Sequence, residues 1–257
     1  MLGTIIGDIV GSVHESRHRK VADLGFPLFA SDARPTDDTV LTLAVAEALR
    51  RGIDFTVPIR RWARAYPHAG FGGMFIAWMR SDDAQSYGSL GNGSAMRVSP
   101  VGCAFDDLDT VLDVAARSAS VTHDHPEGIR GAQAVAAAIL AARTGDGTAG
   151  IREEVEGFGY DLSRSVEQWR NALTFDVTCR GTVPPAVQSV LESDSVESAV
   201  RNAVYIGGDA DTLAAIAGGI AAAAFGVPQA LIDEATHRLD TAMLAEVVAF
   251  TSWLDQP

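Results

Sequence analysis

Apolar positions recur along most of this chain with the 3.6-residue period of helices, and no stretch alternates with a period of two for long enough to build a sheet. Residues 3–15 read as a first helix with glycine at 3, 7 and 11, a stripe of small residues that permits close approach of another helix. A helix over 39–51 stops at Gly52, a shorter one follows over about 57–65, and another covers 74–80. Residues 106–119 and the alanine-rich 127–143, ended by Gly145, come next. The stretch 152–193 is helical with breaks, one of them Thr182-Val183-Pro184-Pro185, which reads as a helix start with proline just inside it. Residues 195–206, 213–225 and 228–254 complete the pattern. The expectation is an all-α fold, a single compact helical domain over 1–257.

Polar residues matter most where they interrupt this pattern. Gly207-Gly208-Asp209-Ala210-Asp211-Thr212 stands directly before the apolar run 213–225. At a helix start, unpaired N–H groups and the positive end of the dipole favour negative charge, so carboxylates there should stay ionised. Positions i and i+2 point about 200° apart on a helix, so Asp209 has to lie on the turn, which the two glycines allow to bend. Three oxygen donors aimed at one point suit a hard divalent cation such as Mg²⁺ or Mn²⁺. Alone, such a motif is more often a plain helix cap. Yet Thr36-Asp37-Asp38-Thr39, ahead of the apolar run 40–49, is a near mirror of it, and the two look like halves of one site. Asp8 and Glu15, seven residues apart, would share a face of the first helix. An acidic pair is costly to bury without a partner, and the alternative for it is a solvated edge.

Two further stretches carry candidate chemistry. Residues 66–97 are rich in loops and glycine, with Gly70-Phe71-Gly72-Gly73 and then Gly88-Ser89-Leu90-Gly91-Asn92-Gly93-Ser94-Ala95-Met96-Arg97. So long a passage inside a compact domain is usually functional, and its N–H groups could cradle a pyrophosphate; a plain surface loop is the alternative. Thr122-His123-Asp124-His125-Pro126 offers two histidines but no cysteine or third histidine nearby, so a substrate contact or a helix cap fits better than zinc.

The composition narrows the partners. A formal charge of −13 argues against nonspecific binding to nucleic acid, though a bound metal would still admit a substrate that carries phosphate. Cys103 and Cys179 lack any paired spacing and read as reduced, buried thiols of a cytoplasmic protein. The first apolar run is broken by Asp8 and has no basic flank or cleavage site, so it is not read as a signal peptide. The run 213–225 is too short to span a bilayer, so no membrane association is expected.

Taken in order, Gly7-Asp8 through Glu15, Pro35-Thr36-Asp37-Asp38-Thr39, Gly91-Asn92-Gly93-Ser94-Ala95-Met96-Arg97, Thr122-His123 and Gly207-Gly208-Asp209-Ala210-Asp211-Thr212 resemble the ADP-ribosylglycohydrolase family. That family includes the dinitrogenase reductase-activating glycohydrolases and the animal ADP-ribosylhydrolases. The resemblance runs from residue 3 to about 226. It implies a helical fold with two Mg²⁺ or Mn²⁺ ions in a central cleft. It also implies hydrolysis of the glycosidic bond at C1″ of an ADP-ribosyl group, on protein ADP-ribosyl-arginine or a related adduct, with release of ADP-ribose. By position, Thr36, Asp37 and Asp38 look like metal ligands from the first half, and Asp209, Asp211 and Thr212 like those from the second. Glu15 is similar to the family's catalytic glutamate, acting as base or acid, and Asp38 would help orient the attacking water. Gly88, Ser89, Leu90, Gly91, Asn92, Gly93 and Ser94, with Met96 and His123, would hold the diphosphate and distal ribose. Asp8 would support the ligands from behind.

Tyr87 or Phe71 would stack on adenine, and a monomer is expected. The segment from His123 to Gly128 departs from the animal members, which leaves the leaving group unnamed. A non-catalytic ADP-ribose-binding or crystallin-like protein is the rival reading, and a metal-dependent nucleotide phosphohydrolase a third.

Overall fold

In the computed structural model, which describes residues 1–16, 19–82, 85–145 and 147–256, the described residues form helices and no sheet. Residues 83 and 84 of the glycine-rich stretch lie outside the described residues, as do 17 and 18. The chain starts with α1 (Leu2–Gly11), α2 (Asp37–Arg51), α3 (Thr56–Ala65) and α4 (Gly73–Arg80). The short α5 (Gly93–Met96) and α6 (Ser99–Ala104) precede α7 (Leu108–Ser120) and α8 (Pro126–Thr144). Then come α9 (Gly147–Gly157), α10 (Val166–Ala172), α11 (Cys179–Leu191) and α12 (Val196–Ile206). The last three are α13 (Ala210–Phe225), α14 (Gln229–Thr236) and α15 (Thr241–Leu254).

Helix α13 is apolar on every side after its first turn, and a helix of that kind has to be enclosed. Every residue from Ala210 to Ala221 is buried, with α1, α8, α11 and α12 around it. The glycine stripe of α1 makes the closest of these contacts. A Cβ on Gly3 would fall 2.0 Å from the Gly218 carbonyl oxygen, and one on Gly7 would fall 1.9 Å from that of Ala214. Backbone therefore touches backbone along the whole of α1. The consequence is chemical: Asp8 on α1 is drawn against the start of α13, where Asp211 lies.

Local signals place most helix ends. Thr36 caps α2, its side chain accepting from the Asp38 N–H, and Gly52 closes the helix in the left-handed region at φ 61°. The sequence pattern errs at two ends that bear on the cavity. Helix α1 stops at Gly11, where the Ser12 hydroxyl bonds back to the Ile9 carbonyl, so Glu15 lies beyond a turn and shares no helical face with Asp8. Helix α11 starts at Cys179, not at Thr182. Thr178 caps it by accepting from the Gly181 N–H, and Pro184 and Pro185 sit inside it. No helix of the described residues is long and apolar enough to cross a membrane.

Candidate active site

Asp8 is fully buried in the middle of α1, which removes the solvated edge as an explanation for it. One of its oxygens accepts from the Thr36 N–H at 2.8 Å and the Thr39 N–H at 3.1 Å, and also from the Thr39 hydroxyl; the other accepts from the Thr36 hydroxyl. Four donors from the start of α2 thus converge on one carboxylate of α1, a charge-assisted cap supplied from another helix. Burial raises the pKa of Asp8, and these bonds oppose it.

The two helix starts then meet. One carboxylate oxygen each from Asp8, Asp38 and Asp211 lie within 4.8 Å of one another. The Thr212 hydroxyl donates to one Asp38 oxygen at 3.3 Å, while the other Asp38 oxygen is buried with no hydrogen-bond partner. Asp209 sits on the turn before α13, where Gly207 and Gly208 both take φ 83°. That is the left-handed region where glycine carries no strain. Ser16 pairs with Gly208, its N–H donating to the Gly208 carbonyl at 3.1 Å, and this pins the segment that carries Glu15 beside the same turn. Glu15 is exposed, and its charge helps raise the pKa of both Asp37 and Asp209.

A helix dipole does not hold the pKa values of these acids in the usual carboxylate range. Burial first, and then repulsion among Asp8, Asp37, Asp38, Asp209 and Asp211, pushes Asp37, Asp38 and Asp209 well above the usual carboxylate range. Burial also lifts Asp211 to about 6. Desolvation in a crowded interior outweighs a partial charge at a helix end. A divalent cation among the acids would invert this balance.

Above the acids opens a cavity of about 700 Å³, large enough for a nucleotide-sized ligand. Thr36, Asp37, Asp38, Asp209, Asp211 and Thr212 line it, and so does Glu15. The facing wall carries Ser89, Leu90, Gly91, Asn92, Gly93, Met96 and His123 from the expected set, while Gly88 and Ser94 lie off the wall. Gly88 takes a positive φ of 65°, and the Ser94 hydroxyl donates to the Gly128 carbonyl at 2.7 Å, tying α5 to α8.

Asn92 faces the acids. Its amide donates to Asp209 at 2.6 Å and to the Thr182 hydroxyl at 3.0 Å, so it links the glycine motif to the acid pair. The amides of Ser89, Gly91, Asn92, Ala95 and Met96 are already bonded inside the protein, so any anion cradle is narrower than the run of glycines suggests.

Of the two aromatics expected beside a base, Tyr87 lines the cavity. Phe71 instead packs on Phe75 at 4.9 Å, and Phe75 is the ring on the wall. Arg34 and Phe175 also line the cavity and were not expected. Phe175 comes from the link between α10 and α11, and nothing in its local sequence marks it.

A family-wide sequence profile described as ADP-ribosylglycohydrolase matches residues 1–255. ADP-ribosylhydrolase ARH3 of Bos taurus is 27% identical over 308 residues, which cover 89% of this chain and 84% of that protein. ADP-ribosyl-[dinitrogen reductase] glycohydrolase of Rhodospirillum rubrum is 27% identical over 267 residues, covering 88% and 84%. A solved structure described as an ADP-ribosylglycohydrolase-related protein complex superposes with a TM-score of 0.70 at 24% identity, over 98% of this chain and 97% of that one, and shows the same fold. With a profile match from residue 1 to residue 255 and relatives that are glycohydrolases, the chain belongs to the ADP-ribosylglycohydrolase family and is an enzyme.

Proposed function

We propose that the protein hydrolyses the glycosidic bond at C1″ of an ADP-ribosyl group carried by a protein side chain or a related adduct, releases ADP-ribose, and uses two divalent cations, Mg²⁺ or Mn²⁺. The observation that carries this reading is the meeting of two acidic helix starts under one cavity, with a buried Asp38 oxygen that has no protein partner. The donor set fits hard cations, because Thr36, Asp37, Asp38, Asp209, Asp211 and Thr212, which all line the cavity, each offer oxygen. Thr36, Asp37 and Asp38 would hold the ions from one side, and Asp209, Asp211 and Thr212 from the other. Asp8 and Asn92 would orient these ligands. When bound, such a pair of cations supplies Lewis-acid polarisation of the sugar and a more acidic water.

The chain's own residues do the rest. Glu15, exposed in the cavity beside Asp37 and Asp209, takes a proton from the attacking water or gives one to the leaving group. The buried carboxylates face a sugar ring that gains oxocarbenium character, and their charge favours it. The glycine wall and His123 hold the diphosphate away from the reacting carbon, and Tyr87 or Phe75 lies alongside the base. All the groups named come from one chain, in keeping with a monomer, and the two unpaired cysteines suit the cytoplasm.

The test is release of free ADP-ribose from ADP-ribosyl-arginine, ADP-ribosyl-serine and ADP-ribosylated nucleic acid, each run with Mg²⁺, Mn²⁺ and EDTA. Cation-dependent release from one of them names the leaving group. Binding of ADP-ribose without release from any would favour the non-catalytic reading, and release of phosphate the phosphohydrolase.

Two expected results follow from the site. Cations compete with protons for acids whose pKa values are raised in the fold, so the stabilisation that cations confer is present above those values and lost as pH falls through them. Saturating Mg²⁺ should therefore raise the melting temperature much more at pH 7.5 than at pH 5, since Asp211 titrates at about 6. Equal shifts at both pH values would place the cations elsewhere. Asn92→Ala removes the amide that holds Asp209 and should weaken cation affinity about 10–100-fold, measured by calorimetry. Unchanged affinity would make that bond structural only.

A further inference from the structure

Arg97 is fully buried in the cavity wall, with its Nε and Nη1 lacking any hydrogen-bond partner. Its Nη2 donates to the Ser118 carbonyl at 2.8 Å and to the Thr122 hydroxyl at 3.1 Å. That hydroxyl is itself buried and lies 2.7 Å from Nδ1 of His123. His123 Nε2, at the opposite end of the ring, faces the glycine loop, 3.1 Å from where a Cβ on Gly93 would stand and 3.6 Å from one on Gly91. Three residues are thus strung from a buried cation to the face of the cavity.

Counting protons narrows how this string is wired. A threonine hydroxyl has one proton and two lone pairs, and a guanidinium only donates, so Arg97 takes one lone pair. His123 Nδ1, 2.7 Å away, then meets either the hydroxyl proton or the second lone pair. Electrostatics decides between them: the positive charge of Arg97 on the Nδ1 side of the ring drives the imidazole proton to the far nitrogen, so Nδ1 accepts the hydroxyl proton. Burial and the same Arg97 charge hold the imidazole neutral by pushing its pKa well below the usual range.

We propose that Arg97 and Thr122 are positioning residues that fix His123 in the tautomer protonated at Nε2, so that it presents an N–H donor to an anionic oxygen of the bound ADP-ribosyl group. The identity of the ligand rests on the function proposed above; the tautomer does not. A neutral donor of this kind suits a phosphate oxygen, because it holds the ligand without adding a positive charge that would delay release of the product.

The tautomer is read directly from ¹⁵N–¹H correlation spectra of the ligand-free protein labelled at histidine, with the His123 signals identified by their loss in His123→Gln. The expected spectrum shows Nδ1 bare and Nε2 protonated; a proton on Nδ1 overturns the proposal without any variant being needed. Thr122→Val should abolish this preference and weaken ADP-ribose binding in calorimetry about 10-fold, and Thr122→Ser should restore both. A Thr122→Val protein with the wild-type tautomer and affinity also overturns it. If the tautomer is as proposed but ADP-ribose does not bind to the wild type, the functional reading fails and the donor serves another acceptor.

Discussion

Asp38→Asn and Asp211→Asn should each lower ADP-ribosyl hydrolysis by about 10²–10³-fold, while melting in EDTA at or above the wild-type temperature. The two halves of this result have one cause. Both carboxylates are buried among other acids, and desolvation and repulsion raise their pKa values in the fold. A group whose pKa is raised by folding contributes stability at low pH and loses it as the pH climbs through the folded value, so at neutral pH these acids strain the cation-free protein. Asparagine keeps the shape and removes the charge. The same change takes away a ligand, so the rise in melting temperature produced by Mg²⁺ should shrink along with turnover. A protein whose stability improves as its activity disappears is what a strained functional site leads one to expect. Wild-type turnover in either variant would remove that acid from the site.

Gly7→Ala should be the most damaging single methyl in the molecule. Its Cβ would lie 1.9 Å from the Ala214 carbonyl oxygen and 2.3 Å from the carbonyl carbon, and both are backbone atoms of a buried helix that cannot rotate away. Overpacking of this kind costs on the order of 3 kcal/mol or more, a fall in melting temperature of about 10 °C at this chain length. Gly157→Ala is the matched control. It ends α9 with nothing within 4 Å of its Cβ position and should change the melting temperature by no more than about 2 °C. The damage at Gly7 should also reach the chemistry. Parting α1 from α13 draws Asp8 away from Asp211, so folded Gly7→Ala protein should bind Mg²⁺ more weakly. A Gly7→Ala protein as stable as the control would contradict the close packing of α1 on α13.

The acid clusters and the helix lattice are legible in the sequence because their signals are local. Thr36 and Gly52 bracket α2, Gly145 closes α8, and Asp209 has to leave the helix because positions two apart diverge on it. What is not legible depends on partners far away along the chain. Asp8 looks like half of an acidic stripe until Thr36 and Thr39, 28 and 31 residues on, are seen to cap it. Asn92 reads as part of a phosphate loop, yet its amide is fixed by Asp209, 117 residues away. The end of α1 is missed because the apolar pattern continues through Val13, while the Ser12 hydroxyl turns the chain back. Phe175 carries no signal at all, since a ring between two helices is equally a core residue or a wall of a cavity. The raised pKa values are likewise a property of crowding, which helix ends alone do not reveal.

The central claim is that two helix starts hold divalent cations beneath the cavity. Crystals grown with Mn²⁺ test it most directly, through the anomalous scattering of that ion. The expected result is two peaks, each about 2.0–2.4 Å from oxygens of the set Thr36, Asp37, Asp38, Asp209, Asp211 and Thr212, with Asp8 bonded to Thr36 and Thr39 behind them. Peaks elsewhere, or none at a saturating Mn²⁺ concentration, would contradict the claim and leave the buried acids without the charge that explains them.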